Sequence, residues 1–279
     1  MQYKNILVYL DDGASNVERM NTALAMARVH DARVTGVALN AAPSLQTMIR
    51  AGIGGATEIL DANQARSKTI VEEFSALAES ADVQHDTRVI QCKEGRAAQK
   101  LAHLALNFDL YILRQANPDR PNAELVTDVA EAVLFSSGRP VFFMPYIGAH
   151  AIPCQNALIA WDGSAASTRA VHDALPLMES MKEVVILVVN SDKQERTNGE
   201  EPGSDISTHL NEHGINNRVS RVHSDGISTS TMILNALSDN GSDILIMGGY
   251  GTSRLREVVL GGVTRTLLGS MTVPVFMSH

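Results

Sequence analysis

Short apolar runs recur along the chain, each closed by a small or acidic residue. "ILVYLDD" (6–12), "ARVTGVALN" (32–40), "FDLYILR" (108–114) and "RPVFFMP" (139–145) form one series. "ALIAWDG" (157–163), "EVVILVVN" (183–190), "SDILIMGG" (242–249) and "VPVFMSH" (273–279) form a second, in the same order. Several are continuous rather than alternating, the pattern of strands covered on both faces. Between them lie stretches with helical spacing, among them "NVERMNTALAMARVH" (16–30) and "TRAVHDALPLMESM" (168–181). The correspondence holds strand after strand, so the chain is a tandem duplication.

The offsets locate the main difference between the copies. Asp11 and Asp162 are 151 positions apart, whereas Asp109 and Asp243, like Pro140 and Pro274, are 134 apart. The second copy has lost about seventeen residues after its second strand, where a loop and long helix ("ATEILDANQARSKTIVEEFSALAES") give way to a polar loop ("SDKQERTNGEEPGSD") and a short helix. Loops absorb such changes at small entropic cost. Each copy reads strand–helix four times, then a final strand. The expected fold is α/β: two tandem doubly wound domains, each a five-stranded, mostly parallel sheet with helices on both faces. The domains are expected at 1–147 and 155–279, joined through "YIGAHAIPCQN" (146–156). Both final strands are apolar sheet edges, which predicts that 141–144 and 275–277 pair antiparallel.

Composition narrows the function. The 279 residues are 44 % hydrophobic and 19 % charged, with a net charge of −8, which argues against a nucleic-acid-binding face. Two cysteines, Cys92 and Cys154, are too few for a disulfide framework. The N-terminus does not read as a signal peptide and no apolar run has the length of a membrane span, so a cytoplasmic protein with no membrane partner is expected.

Candidate chemistry lies in "GGYGTSRLREVVLGG" (248–262), directly after a strand-like run. A ligand of a doubly wound sheet sits beyond the carboxyl ends of its strands. Helical "VTRTLLGSM" follows Gly262, so Gly261 and Gly262 stand at a helix N-terminus, where free amides and the helix dipole favour an anion. Glycines admit phosphate oxygens to backbone N–H groups. At the offset of 134, Gly248, Gly251, Gly261 and Gly262 correspond to Arg114, Asn117, Thr127 and Asp128 in a loop of equal length. The turn thus forms without glycine, which favours a ligand in the second copy alone.

The loop matches neither a Walker A motif nor a dinucleotide fingerprint. Its spacing, G-x2-G-x9-G, together with the aspartate after strand one and the "PV" final strand, resembles the universal stress protein family over nearly the whole chain. That resemblance implies an adenine nucleotide alpha hydrolase-like, Rossmann-like fold, and ATP or AMP, with magnesium as an optional companion, in the second domain. It places Asp162 at the ribose or adenine end and the backbone near Val188 against adenine. Gly248, Gly251, Gly261, Gly262 and Val263 would surround ribose and phosphates. Gly262 stands where nucleotide-binding members carry serine or threonine, and Thr264 is the nearest substitute hydroxyl. The competing reading is a stress protein without nucleotide that acts on unknown protein partners; slow ATP hydrolysis ranks last, since no general base or metal cluster is evident. A homodimer is compatible with either.

Other motifs read as structural. Asp11 or Asp12 is expected to cap the following helix, and capping is equally open to Asp162. "HLNEH" (209–213) has the letters of a zinc-protease motif but is expected to be a solvated helix face. "GISTSTMILNALS" (226–238) is a helix start, and Trp161 a core residue.

Overall fold

The computed structural model describes residues 2–42, 45–119, 123–147, 152–190, 201–249 and 262–279. It divides into two compact units, Gln2–Arg139 and Pro140–His279.

The first unit contains β1 (Asn5–Leu10), α1 (Asn16–His30), β2 (Arg33–Ala42), α2 (Leu45–Ser80), β3 (His85–Lys93), α3 (Ala97–Ala105), β4 (Leu110–Arg114) and α4 (Ala123–Ser136). Its strands lie in the order β3-β2-β1-β4, all parallel. The second unit contains β5 (Val141–Met144), β6 (Asn156–Ala160), α5 (Ala165–Met178), β7 (Glu183–Val189), α6 (Ser204–Glu212), β8 (Asn217–Val222), α7 (Thr229–Asp239), β9 (Ile244–Gly248), α8 (Gly262–Ser270) and β10 (Val275–Ser278). Its order is β5-β10-β9-β6-β7-β8. The expected strand pairing is present: β5 runs antiparallel to β10, with Phe142 opposite Phe276. Among the described residues each copy therefore contributes five strands and four α-helices, with α2 broken at Gly52, and the last strand of the first copy is built into the second unit.

Chain chemistry explains the elements. Leu7, Val8, Leu158, Ile159, Val184 and Ile186 are fully or almost fully buried, as expected of strands sandwiched between helices. An aspartate just before the fourth strand of each copy holds the start of the first strand. Asp109 accepts from the amides of Lys4 and Asn5 at 2.7 and 2.9 Å, and Asp243 from those of Gln155 and Asn156 at 2.8 and 3.0 Å. The repeated contact fixes the same register in both copies. Ser164 caps α5 by accepting from the Ser167 amide, and Ser228 caps α7 through Thr231, so "GISTSTMILNALS" is a helix start as read.

Strand order in the second unit creates a switch point. From β6 the chain steps outward to β7 and β8, then returns to the other side of β6 as β9. Right-handed crossovers place helices on opposite faces for the two directions, opening a crevice between the carboxyl ends of β6 and β9.

Candidate functional site

Asp162 and Gly248 leave the sheet side by side at this crevice. β6 pairs with β9 through Ala160 and Met247, and with β7 through Ala160 and Leu187. Trp161, half-buried, donates its amide to the Leu187 carbonyl at 2.9 Å, which brings Val188 to the same edge.

Each residue has a definable environment. Asp162 is exposed and accepts one hydrogen bond, from the Ser164 amide at 2.9 Å. It closes the turn before α5 but does not cap the helix; Ser164 does. Among the described residues Asp162 has no ion-pair partner. Gly248 is a close-approach glycine: a Cβ there would lie 2.5 Å from the Ser167 nitrogen and 2.7 Å from the Ala166 carbonyl carbon. The first turn of α5 rests directly on the end of β9. Val188 is fully buried, and its side chain faces Gly203, the residue before α6. Gly262 opens α8, with no atom within 4 Å of an added Cβ. Gly262 and Val263 are exposed, whereas Thr264 is buried. Gly251 and Gly261 lie outside the described residues.

The same edge of the first unit is closed by its own side chains. Asp11 is buried and accepts from Arg19 Nη2 at 2.9 Å, from the Gly13 amide at 2.9 Å and from Arg114 Nε at 2.5 Å. Arg114 is the last residue of β4, as Gly248 is of β9. Where the second unit has no side chain, the first extends a guanidinium onto the aspartate. Arg19 is fully buried, with Nε on the Tyr9 carbonyl at 2.6 Å and Nη2 also on Asn16 Oδ1 at 2.7 Å. Burial works against the Asp11 charge, but Arg19, Arg114 and the Gly13 amide outweigh it and hold the carboxyl below its ordinary value. Asp11 is thus an ion-pair centre rather than the expected helix cap, and Asp12 instead meets Arg66 at 3.3 Å on the surface. At the start of α4, partial burial followed by Glu124 raises the Asp128 carboxyl.

The "HLNEH" helix also differs from expectation. His209 is half-buried, its ring 4.7 Å from that of His172 on α5 and 4.7 Å from that of His213. Sequence reading missed His172, which lies 37 positions earlier with no motif to mark it. Among the described residues no group of three histidine, cysteine or acidic side chains is arranged to hold a metal ion. None of the described helices is long and apolar enough to cross a membrane.

The fold is a doubly wound α/β unit in which Asp162 is exposed at the strand switch point beside Gly248. Residues 154–279 match the model of the Universal stress protein family. A universal stress protein from Archaeoglobus fulgidus has a similar structure, with TM-score 0.73 at 15 % identity over 98 % of this chain and 95 % of its own. A functionally unknown protein from Pseudomonas aeruginosa gives TM-score 0.61 at 12 % identity, covering 99 % of this chain and 92 % of its own. No curated protein matches significantly in sequence. The family match thus falls on the second copy, residues 154–279, and the likeness to the Archaeoglobus fulgidus protein extends the same fold over nearly the whole chain.

Proposed function

We propose that the chain is a cytoplasmic stress-response protein that binds one adenine nucleotide, ATP or AMP, in its second domain. The supporting observation is the contrast between equivalent strand ends. Asp11 is neutralised and covered by Arg19 and Arg114, while Asp162 is exposed beside Gly248 and has a carboxylate oxygen with no partner among the described residues. A carboxylate so placed can accept from ribose hydroxyls. The amides at the start of α8 suit phosphate oxygens, with magnesium as an optional bridge. On this reading the domains are 1–147, whose site is degenerate, and 155–279, and the bound state is signalled to protein partners.

The test is calorimetric titration of the full chain with ATP and AMP, with and without magnesium, beside mass spectrometry of ligand released from the purified protein. One site per chain is expected. Two sites per chain would contradict the assignment to the second domain. Absence of binding by either nucleotide would leave the interaction-protein reading, which Gly262 in place of a hydroxyl residue favours.

A further inference from the structure

The row of imidazoles His172–His209–His213 lies outside the nucleotide reading. His172 belongs to α5, and His209 and His213 to the last turn of α6 and the residue after it. The central ring stands between the other two at 4.7 Å from each, and its Nε2 is enclosed without a hydrogen-bond partner among the described residues. Three bases in a row with no acid between them form a contact that is stable only while most of their protons are absent.

Among the described residues the neighbouring charges have partners of their own. On α5, Arg169 reaches the backbone carbonyl of His279, and Asp173 accepts from the Ser278 hydroxyl at 2.8 Å. On β8, Arg221 is held by Glu201, the Pro202 carbonyl and the Ser204 hydroxyl, and Arg218 by Glu183 and Asn240. Asp205 and Glu212 of α6 are exposed to solvent. Among the described residues, the groups that act electrostatically on His209 are His172 and His213; burial first, then these two, hold it below the ordinary histidine value of 6.5.

The helix they hold is lightly anchored. α6 has nine residues and buries only Ile206 and Leu210 of its own. Its start is glycine by necessity: Gly203 has φ of 87°, and a Cβ there would lie 3.0 Å from both Val188 and Val219. Polar ties to β8 run through Asn217, which meets Ser207 and Asn211, and through Arg221, which donates to the Ser204 hydroxyl, and they do not depend on pH near neutrality.

We propose that His172, His209 and His213 form an acid-released clasp between α5 and α6, so that falling pH frees α6 and uncovers the apolar surface at Val188 and Val219. Near neutral pH His209, held below the ordinary histidine value, is uncharged and the clasp is closed. As pH falls, a proton on His209, disfavoured in the closed clasp by burial and by the two flanking rings, is accepted more readily once α6 has moved away. The open state then binds more protons than the closed one, so opening grows as pH falls, by up to about tenfold per pH unit for each extra proton. The clasp operates whether or not nucleotide binds.

The experiment is hydrogen exchange of the full chain without nucleotide at pH 7.5 and 5.5, read as protection factors for residues 206–212 with β9 amides as internal reference. For the wild type, protection of α6 should fall by up to about tenfold at the lower pH relative to β9, the ceiling for one proton of linkage from an open-state value of 6.5. His209→Phe keeps a ring in place and removes the central titration, so α6 should remain equally protected at both values. The His172→Gln/His213→Gln double variant, which removes both flanking imidazoles, should likewise reduce the pH step. An unchanged wild-type ratio, or the same fall in both variants, overturns the proposal. If His209→Phe loses α6 protection at pH 7.5, the double variant alone decides.

Discussion

Replacing Gly248 with alanine tests the packing that shapes the candidate crevice. The added methyl carbon would stand 2.5 Å from the Ser167 nitrogen, 2.7 Å from the Ala166 carbonyl carbon and 2.9 Å from the Ala166 Cβ. The two nearest atoms are backbone, so no rotamer change relieves them and the first turn of α5 must retreat. That amide is also the one bound by the Ser164 hydroxyl at 3.1 Å, so retreat weakens the helix cap. Overpacking costs about 1–3 kcal/mol and a lost cap about 1, which sums to about 2–4 kcal/mol. At roughly 2.1 cal/mol/K per residue over a cooperative unit of about 140 residues, Tm should fall by about 7–14 °C. Gly262→Ala is the control: nothing lies within 4 Å of its added Cβ, and its effect should lie between neutral and about 1 kcal/mol stabilising. Thermal melts followed by circular dichroism and calorimetry measure both. A Gly248→Ala protein melting within about 2 °C of wild type would refute the close-packing argument.

Three further outcomes follow from the two strand ends. Arg114→Met removes one of two cationic partners of buried Asp11 and should cost about 3 kcal/mol in urea unfolding, whereas Arg218→Met, in a half-exposed pair with Glu183, should cost about 0–1 kcal/mol. Because Asp11 is held below its ordinary value of 3.8, its contribution is fully present above that pH and is lost as pH falls through its folded value; Asp11→Asn should flatten acid unfolding below pH 3.8, and an unchanged acid limb would count against the ion-pair centre. On the nucleotide reading, Gly251→Asp or Gly261→Asp should weaken ATP binding roughly ten- to a hundred-fold through loss of one charge-assisted contact, while Asp128→Gly leaves binding unchanged, as calorimetry of folded variants will show.

Much of the fold was legible because its signals are local or repeat at a fixed offset. Apolar runs bounded by turn residues marked the strands, and Asp109 and Asp243, 134 positions apart, make the same contacts with the first strand of their copies. The apolar edges around Phe142 and Phe276 anticipated the β5–β10 pairing. The site was legible in part. Asp162 and Gly248 were identified from spacing and resemblance, and Gly262 from the helix that follows it.

Side-chain partnerships were not legible, for a physical reason. Arg114 reaches Asp11 across 103 residues, a meeting made by the crossover that sets β4 beside β1, and no periodicity encodes it. Asp11 and Asp162 follow equivalent strands with nearly the same local sequence, yet one is a buried charge centre and the other an exposed acceptor. The difference rests on what the neighbouring strand end supplies, a guanidinium or a hydrogen. His209 likewise reads as a surface residue until α5 brings His172 against it. By itself, then, the sequence determined the repeated α/β pattern, the edge pairing and the glycine spacing, since each depends on residues close in the chain or on a constant offset. Only the tertiary structure decided which aspartate is neutralised and which histidine is enclosed, because burial and charge at those positions come from elements far away in sequence.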